Sequence, residues 1–245
     1  MNGIYRIADR CIGIRSLYPD VHTLCRAYAA AQTPDFSVET TQADIEFERE
    51  RSAAEDRAAG APIRNDSDGY LETLAAYRKI ADHMLEYDTL LFHGSCVAVD
   101  GVGYLFTAAS GTGKSTHTRL WRQYFGGRAV MVNDDKPLIR ITDGEATVFG
   151  TPWNGKHALG ENISVPLRAI CALERDTENH IEEVSWRSIY PMLLQQTYRP
   201  RDGAKMMKML ALVDRLETAV GLYRLGCTMQ MDAARTAYEG MVGSL

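Results

Sequence analysis

The chain has 245 residues, 45% of them hydrophobic and 24% charged, with a net charge of −5. Those values are ordinary for a folded protein of one large domain or two small ones, and the acidic balance speaks against a nucleic-acid surface, which carries a basic excess. No apolar run approaches the roughly 20 residues of a bilayer span, and "MNGIYRIADR" lacks the apolar core of a signal peptide.

The expectation is a cytoplasmic protein without nucleic-acid or membrane partners. Its five cysteines (Cys11, Cys25, Cys96, Cys171 and Cys227) are widely spaced, with no Cys-x-x-Cys pair, and read as buried free thiols rather than a zinc site.

In chain order, "GIYRIADRCIGIRS" (3–16) alternates apolar and polar residues as a half-buried strand does. "YPDVHTLCRAYAAA" suggests a short helix, and "DFSVETT" (35–41) a second strand. Thr41 and Asp44 resemble a capping box opening the helix "ADIEFERERSAAEDR", whose charges read as a solvated face. "AAGAPIRNDSDG" (58–69) has linker composition. In "YLETLAAYRKIADHMLEYD" (70–88), Leu71, Leu74, Tyr77, Ile80, Met84 and Leu85 recur at helical spacing and mark a core-facing stripe. Asp100-Gly101 between two β-rich runs signals a hairpin. Further strands are expected near 129–132, 137–141, 146–150 and 167–175, helices over 185–198 and 202–219, with Met206, Met207 and Met209 as packing filler. A last strand, "VGLYRLGC", and a terminal helix capped by Asp232 complete the chain. The fold class is α/β, a mixed sheet with flanking helices. Residues 1–66 read as an N-terminal αβ extension, not necessarily independent, and 67–245 as the main domain.

"YLFTAASGTGKSTHTRLW" places a Gly-rich turn between a strand and a helix. Phosphate is costly to desolvate, so its site needs many donors and little bulk. Glycines let successive amides curl around the oxygens, and the following helix adds its positive end. Lysine supplies full charge, and a Ser or Thr hydroxyl helps hold Mg²⁺. Ser110, Gly111, Thr112, Gly113, Lys114, Ser115 and Thr116 supply these parts, although Ala108 stands where the common pattern has its first glycine. Downstream, the apolar strand of "AVMVNDDKPLI" delivers Asn133, Asp134 and Asp135. Two carboxylates beside bound phosphates can divide the work, one toward the metal and one accepting a proton from an attacking hydroxyl. His93 ends a β-rich run upstream. "GTPWNGKH" (150–157) has two readings: a turn anchored by Trp153, or a loop closing over substrate through Asn154 and Lys156. Arg199 and Arg201 have two equal readings, the same service or solvation of a helix end.

Together, "FHG…VDGVGYLFTAASGTGKST…MVNDDKPLI" resembles the catalytic core of the HPr kinase/phosphorylase family, which shares its P-loop architecture with phosphoenolpyruvate carboxykinases. The likeness is good over 88–175 and looser over 176–245. It implies a P-loop kinase core, ATP and Mg²⁺, with His93 in the active site, Lys114 on phosphate and Ser115 on the metal. Asp135 carries over as proton acceptor and Asp134 as its acidic, metal-side neighbour. Three departures stand out. Thr116 replaces the usual Glu after Lys-Ser. The metal-binding Glu of a later strand has no counterpart except the early Glu145. The HPr-docking segments are not visible, so the chain resembles the short HPr-kinase-like proteins associated with phosphorylating serine in peptides. The resulting expectation is an ATP-dependent kinase acting on a hydroxyl of a protein, peptide or small molecule. The alternative is a non-catalytic nucleotide-binding sensor of the same fold. Homo-oligomerisation is left open.

Overall fold

The computed structural model describes residues 1–109 and 111–243. The chain is a mixed α/β protein of two compact units, Met1–His83 and Met84–Leu245.

In the first unit, β1 (Asn2–Ile7) and β2 (Arg10–Arg15) pair antiparallel, and β3 (Phe36–Glu39) adds parallel to β2. The stretch expected as one strand is therefore a hairpin. Its turn is made by Ala8 and Asp9, both at positive φ (47° and 61°), a two-residue geometry that suits the strand twist. Ala is an unusual residue there, which is why the turn does not announce itself. The short α1 (Asp20–Leu24) lies between β2 and β3, and α2 (Gln42–Ala58) follows with both halves of the Thr41/Asp44 capping box formed. The charges of α2 are not simply solvated: Glu48 is fully buried and accepts from Arg78 at 2.7 Å on α3 (Asp68–Met84).

Further contacts hold α3 in this unit. The buried carboxylate of Glu72 accepts from the Leu17 and Tyr18 amides at 2.7 and 2.8 Å and from the Thr40 hydroxyl at 2.5 Å. Phe36 stacks on His83. The units accordingly divide at the last residue of α3, whereas the linker composition pointed to 66/67.

The second unit is built on a nine-stranded sheet. Its strands are β4 (Thr89–Leu91), β5 (Ser95–Val99), β6 (Val102–Thr107), β7 (Ala129–Asn133), β8 (Leu138–Thr142), β9 (Glu145–Phe149), β10 (Ser164–Arg175), β11 (His180–Glu183) and β12 (Gly221–Cys227). Its helices are α4 (Lys114–Phe125), α5 (Trp186–Gln196), α6 (Gly203–Ala219) and α7 (Asp232–Val242). The expected hairpin turn is present, with Asp100 and Gly101 at φ 51° and 81° between β5 and β6. The long β10 changes partner along its length. It pairs antiparallel with β9 at its start, then lies parallel between β6 and β12.

Alternation along the central strands divides the core into two layers. Cys96, Ala98, Leu105, Ile170 and Ala172 pack with Ile189 and Leu193 of α5 and Met209, Leu212, Val213 and Leu216 of α6. Val97, Val99, Tyr104, Phe106, Ala169 and Cys171 pack with Leu120, Trp121 and Phe125 of α4 and Ala233, Ala234, Ala237 and Met241 of α7. Met209 fills core as expected, whereas Met207 is 67% exposed. Asp232 sits inside the first turn of α7 and makes no side-chain cap; Met231 is the N-cap residue. All five cysteines are free, and four are buried. No described helix is long and apolar enough to cross a membrane.

Candidate active site

Three chain segments converge at the ends of β6 and β7. The first leaves β6 at Thr107, passes through the buried Ala108, and turns at Gly111 and Gly113 into α4. Both glycines have positive φ (77° and 121°), which other residues adopt only with strain, and a Cβ on Gly111 would meet nothing within 4 Å. Among the described residues, no side chain caps the start of α4. Its first turn therefore offers amides and the positive end of the helix dipole. Lys114 folds back so that its Nζ donates to the Ala108 carbonyl at 3.3 Å. Ser115 is exposed and Thr116 half-buried on that turn; Ser110 lies outside the described residues.

The second segment follows β7. Asn133 is fully buried and shapes the turn: its Oδ1 accepts from the amides of Asp135 and Lys136 at 2.9 and 2.7 Å, while its Nδ2 donates to Thr151. This arrangement sends the two carboxylates in different directions. Asp134 is buried and accepts from Ser95 Oγ at 2.5 Å; Ser95 Oγ lies 3.1 Å from Thr118 Oγ1 on α4. Asp135 is partly exposed, with one oxygen 3.3 Å from His93 Nε2 and the other 3.0 Å from Lys136 Nζ. Burial alone would raise the Asp135 pKa, but these two partners outweigh it and bring it to about 2. The reverse holds for Lys114. Burial lowers its pKa more than the nearby Asp135 and Asp134 raise it. Lys114 and the acidic pair are thus near enough to act on one another electrostatically.

The third segment is the expected "GTPWNGKH" loop. Trp153 is buried and anchors it, and Asn154 serves to close it, donating from Nδ2 to Gly160 O at 3.4 Å. Gly155, at φ 79°, passes close to Asp135: a Cβ there would lie 3.5 Å from Asp135 Cβ. Lys156 and His157 follow as exposed residues. Glu145 starts β9, at the opposite end of that strand from this loop.

Several contributors have no signature in the sequence. Gln196–Tyr198 runs antiparallel beside Leu91–His93, with Gln196 O accepting from His93 N at 2.7 Å and Leu91 O from Tyr198 N at 2.9 Å, so the chain reaches the exposed Arg199 in the direction away from His93. Ser95 reads only as a strand residue. Arg175 at the end of β10 donates to the carbonyls of Gly111 and Thr112.

The donor set suits a nucleotide and a hard cation. Mg²⁺ takes one or two carboxylates and completes its shell with phosphate oxygens and water. Asp134 and Ser115 carry oxygens of the type such a shell uses. Among the described residues, no group of three or more His, Cys, Asp or Glu gathers as an all-protein metal cage.

No protein-family model matches the chain, and no curated protein matches it. Among solved structures, the chain is similar to the HPr(Ser) kinase/phosphatase from Coxiella burnetii, at 9% identity with a TM-score of 0.34, over 62% of this chain and 97% of that one.

Proposed function

We propose that the protein is an ATP-dependent, Mg²⁺-requiring kinase that transfers the γ-phosphoryl group to an alcohol, a serine-type hydroxyl of a protein or peptide in the first instance. The observation that carries this reading is the meeting of a cationic, glycine-lined strand-to-helix turn with an ionised carboxylate held by a histidine and a lysine. In this reading the turn between Gly111 and Thr116, with Lys114, holds the phosphate tail. Asp134 and Ser115 would hold Mg²⁺, which when bound neutralises phosphate charge. Asp135 accepts the proton of the incoming hydroxyl, and His93 keeps Asp135 oriented. A carboxylate with a pKa near 2 is a weak base. Phosphoryl transfer asks little of its base, because the transition state is loose and the hydroxyl proton leaves late, so orientation matters more than basicity. The exposed Lys156, next to the Gly155 that lies against Asp135, is the candidate to meet the acceptor.

A second reading, a nucleotide-binding sensor without transfer chemistry, draws support from one feature: both oxygens of Asp135 already have side-chain partners, the His93 ring and the Lys136 ammonium. Radiolabelled ATP with Mg²⁺ and a pool of serine-containing peptides separates the two. The kinase labels acceptor, and Asp135→Asn lowers labelling at least about 100-fold while ATP affinity stays within about threefold. Unlabelled acceptor with tight ATP binding selects the sensor. Full labelling by Asp135→Asn removes the assigned role.

A further inference from the structure

We infer that Arg175 is a positioning residue that sets the peptide planes of the phosphate cradle; the inference rests on the nucleotide reading above and adds a residue to it. Strand β10 lies parallel to β6, with Ala172 opposite Thr107. β10 therefore runs on past the point where β6 gives way to the glycine turn, and Arg175, three positions later, comes alongside that turn. Neighbouring side chains on a strand point to opposite faces. Glu174 pairs with Arg224 at 3.1 Å, while Arg175 serves the loop. Its Nη2 donates to Gly111 O at 2.6 Å and its Nε to Thr112 O at 3.4 Å.

Each of these carbonyls belongs to a peptide unit whose N–H points the opposite way, because the peptide is planar and trans. Holding Gly111 O outward turns the Thr112 N–H inward, where it closes the turn onto Ala109 O at 3.2 Å. Holding Thr112 O outward turns the Gly113 N–H to the side of the loop away from Arg175. The guanidinium fork suits two adjacent carbonyls, which a lysine cannot span in the same way. The two glycines have access to many backbone states, so without a brace the amides would have to be ordered when anion binds. Arg175 holds that order in advance, and its charge polarises the Gly113 amide further toward an anion.

Calorimetric titration with ATP, together with thermal unfolding of the free protein, tests this. Arg175→Ala should weaken ATP binding about tenfold while leaving the unfolding temperature of the free protein within a degree or so, since the side chain is exposed. Arg175→Lys should recover only part of the loss. In ¹⁵N spectra, the Gly113 amide should shift with ATP in the wild type and shift less in Arg175→Ala. Wild-type ATP affinity in Arg175→Ala would overturn the brace while leaving the nucleotide reading intact. A drop in unfolding temperature large enough to explain the lost binding would overturn it as well. A wild-type protein that binds no ATP would bring down both.

Discussion

Lys114 and Asp135 experience the same partly buried surroundings with opposite signs. For Lys114, burial outweighs two nearby carboxylates and lowers the pKa, so the charged form is disfavoured on folding. Below that depressed pKa the lysine subtracts from stability, and the loss is recovered as pH rises through the folded value. Lys114→Met should therefore be at least as stable as the wild type at pH 7, while losing about 100-fold or more in ATP affinity. Asp135 behaves as a paired carboxylate, its pKa lowered from 3.8 to about 2. Its contribution is complete above the ordinary carboxylate range and is lost as pH falls through the folded value. By that linkage Asp135→Asn should cost about 2 kcal/mol at pH 7, a gap that narrows at pH 3. Urea unfolding of both variants at the two pH values measures this. A markedly destabilised Lys114→Met, or a gap for Asp135→Asn that ignores pH, would contradict the geometry assigned to the pair. Lys114 and Asp135 were legible in the sequence because each sits in a compact local pattern. Arg175 was not, because strand pairing brings it to a turn more than sixty positions earlier.

At the scale of elements, one buried hydroxyl chain ties β5, β7 and α4 together. Ser95 of β5 donates to Asp134 after β7 and lies beside Thr118 of α4, whose own hydroxyl is 3.3 Å from the carbonyls of Lys114 and Ser115. The acid is thereby held in register with the helix that begins at Lys114. Ser95→Ala removes the donor from a buried carboxylate, a change that costs about 1–3 kcal/mol. It should also weaken Mg²⁺ binding to the ATP-loaded protein, measured by titration, by more than it weakens ATP binding alone. Equal effects on the two would mean that Ser95 supports the fold without orienting Asp134. Such a chain is hidden from sequence inspection, since a serine in "HGSCVAV" looks like any strand serine. The same limit explains the other misses. β11 is a short edge strand of mostly exposed residues, without the alternation that marks its neighbours. β10 begins at Ser164, ahead of the apolar run that made 167–175 recognisable, because its first residues pair with β9 rather than filling the sheet centre. Where apolar residues recur as a stripe, as in α3, or as a run buried on both faces, as in β5 and β6, the pattern was a sufficient guide.

For the molecule as a whole, the position of the division between the two units has consequences that can be measured. Every residue given a role in the candidate site lies within Met84–Leu245, and that unit contains both of its core layers. A fragment spanning 84–245 should therefore unfold cooperatively and bind ATP with an affinity close to that of the full chain. A fragment spanning 67–245 keeps α3 but strands it. Glu72 would lose the Leu17 and Tyr18 amides and the Thr40 hydroxyl, and Arg78 would lose Glu48 and Asp44. An unsatisfied carboxylate and a detached apolar stripe favour association over folding, so the longer fragment should be the less soluble of the two. The complementary piece, 1–83, retains those bonds, and its Cys25 is fully buried with its thiol pKa pushed up to about 12. That thiol should resist a disulfide reagent in 1–83 and react in 1–66, where α3 is missing. Rapid labelling of Cys25 in 1–83, or a soluble, cooperative 67–245, would mean that α3 belongs with the sheet of the second unit. The linker composition around 58–69 would then mark the real boundary.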